Sequence, residues 1–319
     1  MRRVLLIDSD NLAHRAFYAT YRGEGAPLMA HAGFPTNAIA TWSSMLATLI
    51  AQADPSRVVF GLEGGSAFRR AFYPDYKRNR NEKPKALLQQ LPVIESIIRG
   101  SGAEYLYVPN EECDDVLMSF AESARGLSDI EILVASEDKD FSQIVGDNIY
   151  QLKPGKAGQW SRQDSISIKE SYDVGPSEFA LYLALVGDTA DNIPGIDGIG
   201  PGTASKFLND APTLETLAQR VSTKKKWPIE KATEQIEWNL RLTTFHAVDE
   251  VEPQRGADVG SVISKLSDLN CAHAVKVWKR MDERFGRERA ESIATAQSPL
   301  APSLPVPKRQ NAVQGTLCL

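Results

Sequence analysis

Carboxylates recur where apolar segments end or polar ones begin. Asp8 follows RVLLI, and Glu112, Asp114 and Asp115 lie in NEECDDVL. Asp138 and Asp140 lie in SEDKDF after ILVA, and Asp188 and Asp191 in GDTADN. On a helix, Glu112 and Asp115 share a face at a spacing of three, and Asp114 is tolerated in a first turn rich in free amides. An extended backbone would point Asp138 and Asp140 the same way, while the spacing of Asp188 and Asp191 repeats the helical logic. Any one such Asp reads as an N-cap or loop residue; acids delivered by several separate segments read as a set. Crowded carboxylates raise one another's pKa or repel, and hard divalent cations with oxygen ligands resolve the conflict, so two Mg2+ (or Mn2+) ions suit the cluster. Two such ions about 3.5–4 Å apart can activate a water and stabilise the leaving oxygen of a phosphodiester. His14, His31, His246 and His273 have no zinc-like spacing.

Two further segments carry nucleic-acid chemistry. In FRRAFYPDYKRNRNEKPK, Arg69, Arg70, Lys77, Arg78, Arg80, Lys83 and Lys85 are interleaved with Phe68, Phe72, Tyr73 and Tyr76, and only Asp75 and Glu82 oppose them. Basic side chains neutralise phosphates and aromatics stack on exposed bases. Lys77 or Arg80 beside the cations would also offset charge on phosphoryl oxygens. The second segment is NIPGIDGIGPGTASKFL. Gly198, Gly200 and Gly202 let backbone amides approach a phosphate, Thr203 begins a helix, and Lys206 lies one turn in, as in a helix-hairpin-helix turn that grips duplex without reading sequence.

The elements that must position these residues alternate through the first two thirds of the 319-residue chain. Apolar runs at 3–7, 58–62, 104–108 and 130–135 read as strands, and amphipathic stretches at 36–50, 84–99 and 111–125 as helices. The pattern predicts an α/β fold: a mostly parallel central sheet with helices on both faces and the acids in a crevice at the carboxyl ends of its strands. From about 172 the pattern turns helical, with helices expected up to 186 and at 203–208, 229–244 and 271–288. After about 292 a Pro, Ser and Ala stretch reads as disordered. The expected divisions are a metal-binding nuclease core at 1–171 with an arch region about 77–100, a helical DNA-binding region at 172–290 with the hairpin about 184–208, and a tail at 291–319. A composition of 42% hydrophobic and 24% charged residues suits a globular core. The net charge of −5 does not exclude a nucleic-acid partner, because distribution outweighs the sum. No apolar run is long enough to span a membrane, and Cys113, Cys271 and Cys318 form no disulfide or metal framework, so a cytoplasmic, reduced protein is expected.

LLIDSDNLAHRAFYA, FRRAFYPDYKRNR, EECDDVL, SEDKDFSQI and LVGDTADNIPGIDGIGPGTASKFL together resemble the 5′-nuclease or flap endonuclease family, including the 5′-nuclease domain of bacterial DNA polymerase I, over about residues 3–290. The resemblance implies a PIN-like core. Asp8, Glu112, Asp114 and Asp115 would hold the first metal, and Asp138, Asp140, Asp188 and Asp191 the second. Lys77 and Arg80, with Tyr76 before them, would lie at the foot of a helical arch, and K+ would sit in the hairpin of Gly198 and Gly200. It further implies a free-standing, monomeric nuclease acting on branched, flapped or nicked DNA, RNA-primed ends included. Gln314, Leu317 and Leu319 are similar to the Q-x-x-L-x-L peptides that dock on a sliding clamp. One position departs: where relatives place an Asp six residues before the Phe of the FR-like pair, this chain has Leu62. Neighbours in an extended strand point oppositely, so Glu63 does not simply replace it. Leu62 also motivates one alternative, a structure-selective DNA-binding protein with weakened or lost catalysis; a second, an RNase acting on structured RNA, shares the metal logic.

Overall fold

A computed structural model describes residues 1–23, 29–209, 213–249, 251–255, 259–272, 274–281 and 283. In chain order the elements are β1 (Arg2–Asp8), α1 (Ser9–Thr20), β2 (Ala30–His31), β3 (Phe34–Pro35), α2 (Asn37–Ala53), β4 (Arg57–Gly61), α3 (Ala67–Phe72), α4 (Lys85–Gly100), β5 (Glu104–Leu106), α5 (Cys113–Glu122), β6 (Ile130–Ala135), β7 (Ile149–Pro154), β8 (Trp160–Gln163), α6 (Ser165–Tyr172), α7 (Phe179–Val186), α8 (Pro201–Leu208), α9 (Leu214–Lys225), α10 (Ile229–Thr243), β9 (Gln254–Arg255) and α11 (Val259–Asp268). The sheet order is β8-β7-β6-β1-β4-β5-β9. The five central strands run parallel, and the edge strands β8 and β9 are antiparallel. The sheet is therefore mixed, with the expected parallel centre.

Alternation along each strand feeds two cores. Leu5 and Ile7 of β1, Val58 and Phe60 of β4, and Leu133 and Ala135 of β6 face one side, where Trp42, Leu46 and Leu49 of α2 and Leu87, Ile94 and Ile98 of α4 cover them. Val4, Leu6, Val59, Ile132 and Val134 face the other side, under Val116, Leu117 and Phe120 of α5. A third core joins α7, α8, α9 and α10 around Phe179, Leu183, Ile199 and Ile236.

Within the stretch expected to form an arch, α4 packs its apolar face into the first core, leaving 77–84 as the irregular part beside the site. The helical region is also not separate throughout. β9 adds to the sheet at β5, and Trp278 stacks on Trp42 at 5.7 Å and donates to Ser43 Oγ at 3.3 Å. The end of the helix expected at 271–288, His273, and the tail with Gln314, Leu317 and Leu319 lie outside the described residues. Among the described residues, no helix is long and apolar enough to cross a membrane.

Candidate metal centre and nucleic-acid face

Register places the acids at one edge. Asp8 ends β1 opposite Gly61, the last residue of β4, and Ala135 ends β6 beside Ile7. Asp8 also caps α1, its Oδ1 accepting from the Asn11 amide at 3.0 Å, so it is both an N-cap and a site acid. Gly61 lets α5 approach: a Cβ there would lie 2.6 Å from Cys113 Sγ and 2.8 Å from the Leu117 side chain. That close contact sets the first turn of α5, with Glu112, Asp114 and Asp115, against the strand ends.

Two groups form. Glu112, Asp114 and Asp115 each offer an oxygen, all within 4.8 Å of one another, and Asp140, Asp188 and Asp191 do the same. Asp8 and Asp138 lie outside both triads and are linked through Ser136, whose hydroxyl donates to Asp8 Oδ2 at 2.9 Å and accepts from the Asp138 amide at 3.1 Å. Two of the local conformations expected from sequence differ. Asp138 caps a 3-10 turn over Lys139–Ile144, accepting from the Asp140 amide, so that turn rather than an extended strand brings the pair together. Asp188 and Asp191 lie in a loop, not a helix, closed by the Asp188–Ile193 bridge. The neck of that loop needs glycine: Gly187 and Gly195 have φ of +80° and +65°, and a Cβ on Gly195 would meet the Gly187 nitrogen at 2.4 Å.

Counter-charge comes from the FRR and YKRNR segments. Arg69, only 5% exposed, binds Asp115 through two guanidinium nitrogens, Glu112 through one, and the carbonyl oxygens of Leu242 and Thr244. Lys77 binds Glu112 and lies 3.8 Å from Asp191, and Arg80 binds Asp191. Tyr76, 2% exposed, donates its hydroxyl toward Asp191 at 3.0 Å and Glu112 at 3.3 Å. Arg69 and Tyr76, expected among the DNA contacts, are both buried in the structure and bonded to the acids from beneath. Arg70, Arg78, Arg80 and Lys83 are exposed, with Arg70 on Ser66, Arg78 on Asp75 and Lys83 on Asp10. Sequence reasoning missed Lys139, whose ammonium binds Asp188 at 2.6 Å from the middle of SEDKD. It also missed Asn192, and Tyr73, expected among the base-stacking aromatics, instead donates to the Asn192 carbonyl; the two tie the basic segment to the acidic loop.

The electrostatics show unrelieved negative charge. Burial, partly offset by the Asn11 and Ser136 hydrogen bonds, and the neighbouring Asp138 and Asp114 raise Asp8 to about 7. Burial and Asp114 raise Asp115 to about 7 against the pull of Arg69. Burial and Asp138 hold Asp140 well above the carboxylate range. Burial works to raise Asp191 too, yet Lys77, Arg80 and Tyr76 outweigh it and hold that group low. Asp140 Oδ1 is buried with no hydrogen-bond partner, a costly state for a carboxylate oxygen. An all-oxygen donor set with an orphaned acceptor fits a hard divalent cation.

Glu63 stands at the rim. It is exposed, yet partial desolvation against the end of α5, with Asp114 and Glu112 adding to it, raises it to about 7 against the Cys113 amide. On the hairpin, Gly198 has φ +76°, Gly200 caps α8 with Pro201 in its first turn, and the positions of Gly200 and Gly202 are open, with nothing within 4 Å of an added Cβ. Lys206 is exposed on the same helix, and Thr203 is half-buried.

An acidic centre at the carboxyl edge of a parallel sheet, braced by a glycine-necked loop and a helical hairpin, defines the class: a nuclease core with an appended helical region. Residues 3–173 match the family model described as 5′-3′ exonuclease, N-terminal resolvase-like domain, and residues 174–254 match 5′-3′ exonuclease, C-terminal SAM fold. A 5′-3′ exonuclease of Aquifex aeolicus is 30% identical over 303 residues, 92% of this chain and 100% of that protein. The thermostable DNA polymerase I of Thermus aquaticus is 36% identical over 69% of this chain, which spans 25% of that longer protein. In structure, the phage T5 5′-exonuclease solved with zinc is similar with a TM-score of 0.59 at 18% identity, covering 89% of this chain and 100% of that one. Flap endonuclease-1 from Methanococcus jannaschii follows at a TM-score of 0.57 and 14% identity, covering 89% and 93%. The chain belongs to the 5′-3′ exonuclease family, with flap endonucleases among its neighbours in fold.

Proposed function

We propose that the chain hydrolyses phosphodiesters at the junctions of flapped, nicked or otherwise branched DNA, RNA-primed ends included, as a 5′ nuclease dependent on two divalent cations, Mg2+ or Mn2+. The observation that carries this reading is the pair of carboxylate triads, drawn from separate segments and containing an acceptor oxygen without a partner. Glu112, Asp114 and Asp115, with Asp8 beside them, would hold one cation. Asp140, Asp188 and Asp191, with Asp138 beside them, would hold the other. Bound divalent cations supply the Lewis acidity that makes water a nucleophile at neutral pH and offsets charge on the leaving oxygen.

The chain's own residues do the rest. Arg69, already committed to Asp115 and Glu112, keeps the α5 acids oriented. Lys77 and Arg80 balance Glu112 and Asp191 in the resting chain; once those carboxylates are engaged, both cations can turn to the phosphoryl oxygens. Exposed Arg70, Arg78 and Lys83 gather the single strand by its phosphates, while the open glycine face at the start of α8 and Lys206 hold the duplex. The phage T5 flap endonuclease has been solved with DNA and metal ions in a pseudo-enzyme-product complex, in keeping with this substrate class.

A 5′-labelled DNA flap should lose its single strand near the junction in Mg2+ or Mn2+ and stay whole in EDTA. Asp140→Asn should cut cleavage by at least about 100-fold while leaving gel-shift binding of the flap in place. An intact flap across both metals, with a matched RNA flap cut instead, would overturn the DNA reading.

A further inference from the structure

We infer that Glu63 is a fifth carboxylate serving the cation assigned above to Glu112, Asp114, Asp115 and Asp8. The inference rests on the two-cation reading above. Pairing fixes which side each residue takes. Asp8 and Gly61 are register partners in parallel strands and share a face of the sheet. That face is the α5 side, because a Cβ on Gly61 would strike Cys113 and Leu117, and Cys113 Sγ lies 4.0 Å from Asp8 Oδ1. Continuing past the strand, with the Leu62 amide still bonded to the Leu106 carbonyl, alternation sends Leu62 to the opposite face and Glu63 back to the side of Asp8.

Side-chain contacts agree. Leu62 is 4% exposed within the α2 and α4 core. Glu63 Oε2 accepts from the Cys113 amide at 3.3 Å, in the first turn of α5 between Glu112 and Asp114, and its Oε1 accepts from the Gly65 amide at 2.9 Å. The two glycines after it hold the chain there. Gly64 exchanges backbone hydrogen bonds with Asn110 and Glu111, and a Cβ on it would lie 2.0 Å from the Val108 carbonyl. Gly65 has φ +125°. The LEGG turn therefore delivers a negative charge to the end of α5 that carries the first triad, while Leu62 faces hydrocarbon.

The experiment is Mn2+ binding by calorimetry and electron paramagnetic resonance on the full chain, without DNA, for wild type, Glu63→Gln, Leu62→Asp and the double variant, with Asp140→Asn marking the other event. Glu63→Gln should weaken one binding event about ten-fold and leave the event lost in Asp140→Asn unchanged. Glu63→Asp should restore part of the loss. Thermal unfolding in EDTA separates a folding effect from a lost charge. Leu62→Asp in the Glu63→Gln background should not restore affinity, since its carboxylate enters the core. Equal Mn2+ affinity in Glu63→Gln and wild type, or full recovery through Leu62→Asp, overturns the role of Glu63 alone. A wild-type chain that binds no Mn2+ overturns the two-cation reading with it.

Discussion

At the scale of single residues, the site is a balance between carboxylates and four side-chain cations, three of which the sequence presents as DNA contacts. Arg69 shows why the distinction matters. It is buried, it serves Asp115 with two nitrogens, and it reaches Glu112 and two carbonyls of the helical region. Removing a buried ion-pair partner leaves an uncompensated charge, so Arg69→Met should cost about 3–5 kcal/mol of stability. Urea unfolding in EDTA measures it. Arg69→Lys should recover little, because a point charge cannot reproduce a planar fork; an unchanged midpoint in Arg69→Met would show that Asp115 is neutralised some other way, and one in Arg69→Lys that the fork is not needed. The acids themselves were legible in the sequence because each follows or opens an apolar run. The burial of Arg69 and Tyr76 was not, since a basic and aromatic stretch looks the same whether it faces solvent or props up carboxylates from below. Nothing local marks the difference, which depends on Leu242, Thr244 and Asp191 arriving from far along the chain.

Among elements, the best-read parts were those whose hydrophobic period is unbroken. β6 falls on the expected residues, and α2, α4 and α10 begin and end within a few positions of theirs. α1 went unread because it starts at Ser9 with no intervening loop, Asp8 ending the strand and capping the helix at once. β7 and β8 went unread because the outer strands of a sheet carry polar residues, as in IYQLKP and WSRQ. The loop of Asp188 and Asp191 imitates a helical spacing, but glycines rather than helical hydrogen bonds set it. Its closure makes a sharp prediction. In Gly195→Ala the new methyl meets the Gly187 and Val186 backbone within 2.4–2.7 Å at a left-handed φ. The neck must open, at about 1–3 kcal/mol. Thermal unfolding should register that loss, and Mn2+ titration should show weaker binding only at the event shared with Asp140. Unaltered binding at that event would mean the neck does not position the acids.

On the scale of the whole molecule, the site is also the seam between layers. Arg69 reaches the Leu242 and Thr244 carbonyls, Asp115 Oδ1 accepts the His246 amide at 2.7 Å, and Gln143 bonds the Thr243 carbonyl and the Phe245 amide. Protonation at this seam is therefore a matter of global stability. Asp8 and Asp115, each raised from 3.8 to about 7 in the cation-free fold, keep protons that the unfolded chain has already released between about pH 4 and 7. Their contribution is full below the unfolded value and fades as pH rises through the folded one. Asp191, held low, acts oppositely, and its contribution is lost only when pH falls below the ordinary carboxylate range. Cation binding needs the deprotonated forms, so its stabilisation has the reverse pH dependence. In EDTA the melting temperature should drop from about pH 5 to about pH 8. With Mg2+ in excess the drop should be reduced or reversed, the two curves meeting near the acid end and separating as pH rises through about 7. Melting curves parallel across that range would mean that the acids titrate normally in the fold and that the cations do not bind through them.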